Sequence, residues 1–132
     1  MDTLRANIEA QVESLWGVRT TVEYADRPFD APTSGGWLSV EVAGNYGVAR
    51  AIGTSGNGLN VVSGTVALAI SENEATGMGN VTRLAEYARA MAMAFVVSGV
   101  RFRSPSGPES PTFTGRLARV TVRVPFDCDE VT

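Results

Sequence analysis

The stretch that constrains this chain most runs from Asn80 to Gly99, NVTRLAEYARAMAMAFVVSG. Val81, Leu84, Ala85, Ala88, Met91, Ala92, Phe95 and Val96 recur at i, i+3, i+4, i+7, which puts them on one stripe of a 3.6-residue helix. That stripe has to be buried. Arg83, Glu86 and Arg89 fall on the opposite, wet side at spacings that allow ion pairs worth a few tenths of a kcal/mol. Asn80 can cap the free N–H groups at the start, and Gly99 can take the left-handed conformation that closes the end. Such a helix is roughly 27 Å long, enough to cross a small sheet. The rest of the chain must supply that sheet, and the alanines on the helix let something approach closely.

The flanking segments do read as strands. After a first amphipathic helix over Thr3–Trp16, with Leu4, Ile8, Val12 and Leu15 as its apolar stripe and Gly17 as its stop, TTVEY at Thr20–Tyr24 is an opening strand. Asp26–Gly36 has loop chemistry around one apolar anchor, Phe29, and is expected to fold back on the body or on a neighbour. WLSVEV at Trp37–Val42 alternates Leu38, Val40 and Val42 against Trp37, Ser39 and Glu41. Val48–Ile52 is a short strand among glycines, closed by an SGNG turn. Leu59–Ser71 is the longest strand, with Gly64 as a bulge or bend. Val100–Arg103 is a short strand, Ser104–Pro111 an exposed extended loop, and Thr112–Phe126 a last strand whose pairing Pro125 should end. The order predicts one α+β domain, a mostly antiparallel β-sheet with two α-helices packed against it.

Composition matters chiefly by what it removes. Among 132 residues there is no histidine, and all 11 positive charges are arginine. The usual general base, the triad partner and the commonest metal ligand are therefore missing, as are the lysines of phosphate loops and Schiff bases. Cys128 is the single cysteine, which excludes an intrachain disulfide and a zinc site built on paired cysteines. No apolar run reaches the roughly 18 residues of a membrane span, and the first residues lack the order of a signal peptide, so a soluble cytoplasmic product is expected. No enzyme, cofactor or metal is predicted.

Four constellations remain. GTSGNG at Gly53–Gly58 has the look of a phosphate cradle but lacks the lysine and precedes a strand, so it reads as a flexible hairpin. Asp127, Asp129 and Glu130 could hold a hard cation, but nothing enforces coordination, and they read as a solvated tail. Arg101, Arg103, Arg119 and Arg123 project from one face if the strand around Phe102 lies beside the strand around Val122. They either pair with Glu23 and Glu41 or meet an acidic partner surface or a nucleic-acid backbone. With a net charge of −3, the chain is not a dedicated nucleic-acid binder. Phe29 and Trp37, beside the loop, are either core edge or anchors of a protein interface.

Taken in order, Pro28-Phe29 with Pro32, GGWLSVEV at Gly35–Val42, the glycine-rich loop and long strand at Gly53–Ile70, AMAFV at Ala92–Val96, FRSP at Phe102–Pro105 and VRVPF at Val122–Phe126 resemble the tail terminator proteins of long-tailed bacteriophages and phage-like gene transfer agents. The likeness spans nearly the whole chain and is one of pattern and length. It implies a structural virion protein. Six copies would form a homo-oligomeric ring on the head-proximal end of the tail tube, stop its polymerisation and dock the head–tail connector or stopper protein. DNA would pass through the channel without sequence-specific binding, and no membrane is involved. Within that class, a head–tail joining, tail-completion or tail tube protein is the neighbouring reading. From another class, the competitor is a small-ligand-binding α+β domain, which would need a deep pocket with converging polar groups. The resemblance places subunit contacts on the sheet edges and the loops Asp26–Gly36 and Ser104–Pro111, with Phe29, Trp37, Arg101, Arg103, Arg119 and Arg123 as interface candidates.

Overall fold

The computed structural model describes residues 2–17, 20–24, 28–30, 35–45, 59–73, 79–97, 99–114 and 117–131. Its elements are α1 (Asp2–Trp16), β1 (Thr21–Tyr24), β2 (Gly35–Asn45), β3 (Leu59–Asn73), α2 (Gly79–Met93), β4 (Val100–Phe102), β5 (Thr112–Thr114) and β6 (Leu117–Val131). They build an α+β fold with the sheet order β1-β2-β3-β6-β4, and β5 also pairs with β6. All pairings are antiparallel except that of β1 with β2. The strand expected at Val48–Ile52 and the GTSGNG turn lie outside the described residues.

The period of two along each strand sorts the sheet into two faces. Leu38, Val40 and Val42 of β2, Val66, Leu68 and Ile70 of β3, and Val120, Val122, Val124 and Phe126 of β6 share one buried cluster with Ile8, Val12 and Trp16 of α1 and the α2 stripe. Both helices therefore cover the same face. Trp16 rather than Leu15 closes the α1 stripe, because the indole is fully buried and its Nε1 donates to Thr20 Oγ1 at 3.0 Å, whereas Leu15 is exposed.

α2 is shorter than its pattern. Beyond Met93 the bonds change to i→i−3, with Ala94 N–H donating to Met91 O and Phe95 N–H to Ala92 O. The turn aims Phe95 into the core, where its ring meets Phe102 at 5.4 Å, and Phe102 meets Phe126 at 6.2 Å. Val96, one position on, is thrown out to 75 % exposure instead of joining the stripe. Gly99, at φ +80, turns the chain into β4 rather than capping the helix.

Gly64 is not a bulge. The registers of β2 with β3 and of β3 with β6 run through it without a slip, opposite Gly44 on one side and Phe126 on the other. What demands glycine is space: a Cβ there would lie 2.2 Å from Ala43 O and 2.6 Å from Phe126 Cζ. Pro125 does not end β6 either. Its carbonyl accepts Arg103 N–H at 2.8 Å, so its ring nitrogen also faces the irregular outer segment and the ladder to β3 is untouched. β6 continues through Asp127 to Val131, paired with β3, which makes the expected C-terminal tail part of the sheet.

The segment between β4 and β6 is likewise more than a loop. Ser106 and Arg123 exchange backbone hydrogen bonds at 2.8 and 3.0 Å, and Glu109 N–H donates to Thr121 O at 2.9 Å. The expected strand Thr112–Phe126 is thus the end of an irregular hairpin in which residues 100–114 line the outer side of β6.

Candidate functional site

The helices leave the other face of the sheet open, and that face holds all six residues singled out from the sequence or lies beside them. Reading across the register, one row runs Trp37, Ser71, Arg119 and Thr112; the next runs Glu23, Ser39, Ala69 and Thr121; the third runs Glu41, Ala67, Arg123 and Ser106. Arg101 stands opposite Asp127 further along. The floor is made of small residues. Glu23, Ser39, Glu41, Ala67, Ala69, Arg119, Thr121 and Arg123 border a groove of about 340 Å³.

Its two walls carry opposite charge. Glu41 on β2 and Arg123 on β6 flank β3, and two strand spacings of about 4.8 Å separate their backbones by roughly 10 Å. Glu23 accepts a hydrogen bond from Ser39 Oγ at 2.9 Å. The arginines do not pair with Glu23 and Glu41, since both stand across β3 and nearer carboxylates are at hand. Arg101 Nε and Arg103 share Asp127, the latter at 2.9 Å, and Arg123 Nε donates to Glu109 at 3.3 Å. Arg119 has no ion pair among the described residues. The Arg103 hydrogen bond, opposed by burial and aided by Arg101, holds the Asp127 carboxyl below its ordinary range. The four guanidiniums thus lie along one side of the face, but as a split row rather than one patch.

Trp37 is 7 % exposed although it faces away from the helices. The parallel pairing explains its cover. Tyr24, the last residue of β1, lies opposite Val40, so the chain must travel back to reach Gly35 before β2 begins. Of the connecting residues, Phe29 lies on this open face and rests on Trp37 with ring centroids 6.3 Å apart. The aromatic pair is core edge for Trp37, while Phe29 stays half-buried at the surface. Beneath it, Trp37 Nε1 and Ser71 Oγ, neighbours across the register, are buried without a hydrogen-bond partner among the described residues.

A second feature was not legible in the sequence. At the outer edge, Met93, Val96, Val97, Val100, Phe102 and Pro105, together with the polar Arg103 and Ser104, line a groove of about 320 Å³ between the end of α2 and β4. Met93 is 70 % exposed. The early end of α2 creates this patch, because a helix continued to Gly99 would have buried Val96. Among the described residues no group of three or more histidine, cysteine, aspartate or glutamate side chains is placed to hold a metal ion, and no helix is long and apolar enough to cross a membrane.

The fold defines a two-layer α+β class, and comparison with known proteins goes no further than that class. No protein-family model matches the sequence, and no curated protein matches it. Among solved structures, a protein whose name is only a sequence identifier superimposes with a TM-score of 0.65 at 18 % identity, over 99 % of this chain and 94 % of that one. At that identity the likeness concerns the fold alone.

Proposed function

We propose that this protein is a structural virion subunit of the tail-terminator kind, which acts through the surfaces it presents and not through bond chemistry. In this reading six copies close head to tail into a ring on the head-proximal end of the tail tube, end its growth and offer a docking surface to the connector. The observation that carries it is the exposed pair Met93 and Val96 in the groove at the β4 edge. Large apolar side chains left open beside a sheet edge are what a partner surface covers. The second edge of the sheet, β1, lies at the opposite end of the strand order, so a contact joining the two edges is heterologous. Such a contact closes into a ring when its rotation divides a full turn. The resemblance in the sequence supplies the place in the virion. A ring of subunits with net charge −3 also limits retention of DNA passing through its channel.

Electron microscopy of the purified protein, alone and mixed with tail tubes, tests the proposal. Closed rings that sit on tube ends are expected. Long cylinders formed by the protein alone would make it a tube subunit instead, and particles that stay monomeric with and without tubes would overturn the reading.

A further inference from the structure

The registers on the open face allow one operation that satisfies its charges. β3 lies midway between the Glu41 wall and the Arg123 wall, and the residues it shows there, Thr65 and Ala67, are small, while Ala69 beside them is buried. A two-fold axis laid parallel to β3 above Ala67 keeps every row in place and exchanges its two ends. Glu41 of one copy then faces Arg123 of the other, whose guanidinium would bridge it to Glu109 of its own chain, and the reverse pair forms at the same time. Two rows along, Arg119, which has no ion pair among the described residues, faces the Phe29–Trp37 aromatic pair of the second copy, where a guanidinium over a ring face is attractive. The exposed Asp30 follows Phe29 on that same crossover.

We infer that the open face is a two-fold interface between copies of this chain, packed sheet on sheet with Ala67 on the axis. The occupant is a second copy because no other surface need be invented to match it: the acidic wall, the small floor and the basic wall are complementary to themselves under this rotation. Aligned sheets pack about 10 Å apart, and the small side chains of Thr65 and Ala67 permit that approach along the axis. The contact uses a different surface from the β1 and β4 edges, so it stands independently of the ring proposed above.

Sedimentation of the full chain tests it. The wild type is expected to show a concentration-dependent dimer. Glu41→Arg or Arg123→Glu places like charges at both symmetry-related pairs and should weaken it by about tenfold or more. The E41R/R123E chain restores the pairs in reverse and should recover the dimer, and an equimolar mixture of the two single variants should yield a heterodimer. Ala67→Trp, on a solvent-facing position, should abolish the dimer while leaving circular dichroism and thermal midpoint unchanged. A self-association indifferent to E41R and to A67W, or one that E41R destroys and the double reversal fails to recover, overturns the inference. A dimer that persists unaltered in E41R would refute the two-fold contact and leave the ring reading intact. Dimers with no rings would do the opposite.

Discussion

Replacing Gly64 by alanine should be the most damaging single-methyl change in the sheet. The added Cβ would sit 2.2 Å from the Ala43 carbonyl oxygen, 2.6 Å from Phe126 Cζ and 2.9 Å from Gly44 Cα. Two of these three atoms are backbone in the central β2–β3 ladder, so relief requires the strands to part and not merely a side chain to rotate. Overpacking that side chains can absorb costs about 1–3 kcal/mol, and a shift of ladder backbone adds to it. We expect a loss of about 3 kcal/mol or more, a large share of the roughly 5–15 kcal/mol available to such a domain. In urea, with a slope of about 1–3 kcal/mol per molar, the midpoint should fall by at least about 1 M. Shortening the ring in a Gly64→Ala/Phe126→Leu chain removes the Cζ clash only. The two changes should therefore couple, with the double variant less destabilised than the sum and still well below wild type. A Gly64→Ala protein within about 0.5 kcal/mol of wild type would show that the strands do not approach as described.

Three further outcomes follow from the same packing. Trp16→Ala should cost about 3–5 kcal/mol by chemical denaturation while Leu15→Ala stays within about 1 kcal/mol, and equal losses would contradict the assignment of the α1 stripe. Asp127 is held below its ordinary pKa by Arg103 and Arg101, so its stabilising contribution is complete above the unfolded value near 3.9 and fades as pH falls through the lower folded value. Asp127→Asn should flatten the stability profile in that acid window, and a curve parallel to wild type would remove the carboxylate from the account. Met93→Asp with Val96→Asp should leave the unfolding midpoint nearly unchanged, since both side chains are exposed, yet prevent ring formation in negative-stain images.

What the sequence disclosed was whatever depends on local spacing. The α2 stripe, the alternation of β2, β3 and β6 and the α+β class are all periodicities of residues near each other in the chain. The misreadings arise where the deciding partner is distant. Val96 fits the helical period, but Phe95 is drawn to Phe102 and the helix ends first. Pro125 is a stop signal in isolation, yet its nitrogen faces an irregular edge that asks for no donor. Gly64 looks like a bend until the Phe126 ring is seen above it. The candidate site behaves the same way. Alternation puts Arg101, Arg103, Arg119 and Arg123 on one face, but only the register reveals that Arg101, Arg103 and Arg123 pair with Asp127 and Glu109 and not with Glu23 and Glu41. Phe29 and Trp37 meet across the connection between two parallel strands, β1 and β2, a contact that no local signal encodes.

The claim that this polypeptide works by associating with copies of itself is tested most directly by the mass of the native particle at micromolar concentration, in the presence of tail tube ends. A discrete closed species of six chains bound at those ends is the predicted result. A single chain of 13.9 kDa that persists across the whole concentration range and ignores the tubes would contradict it.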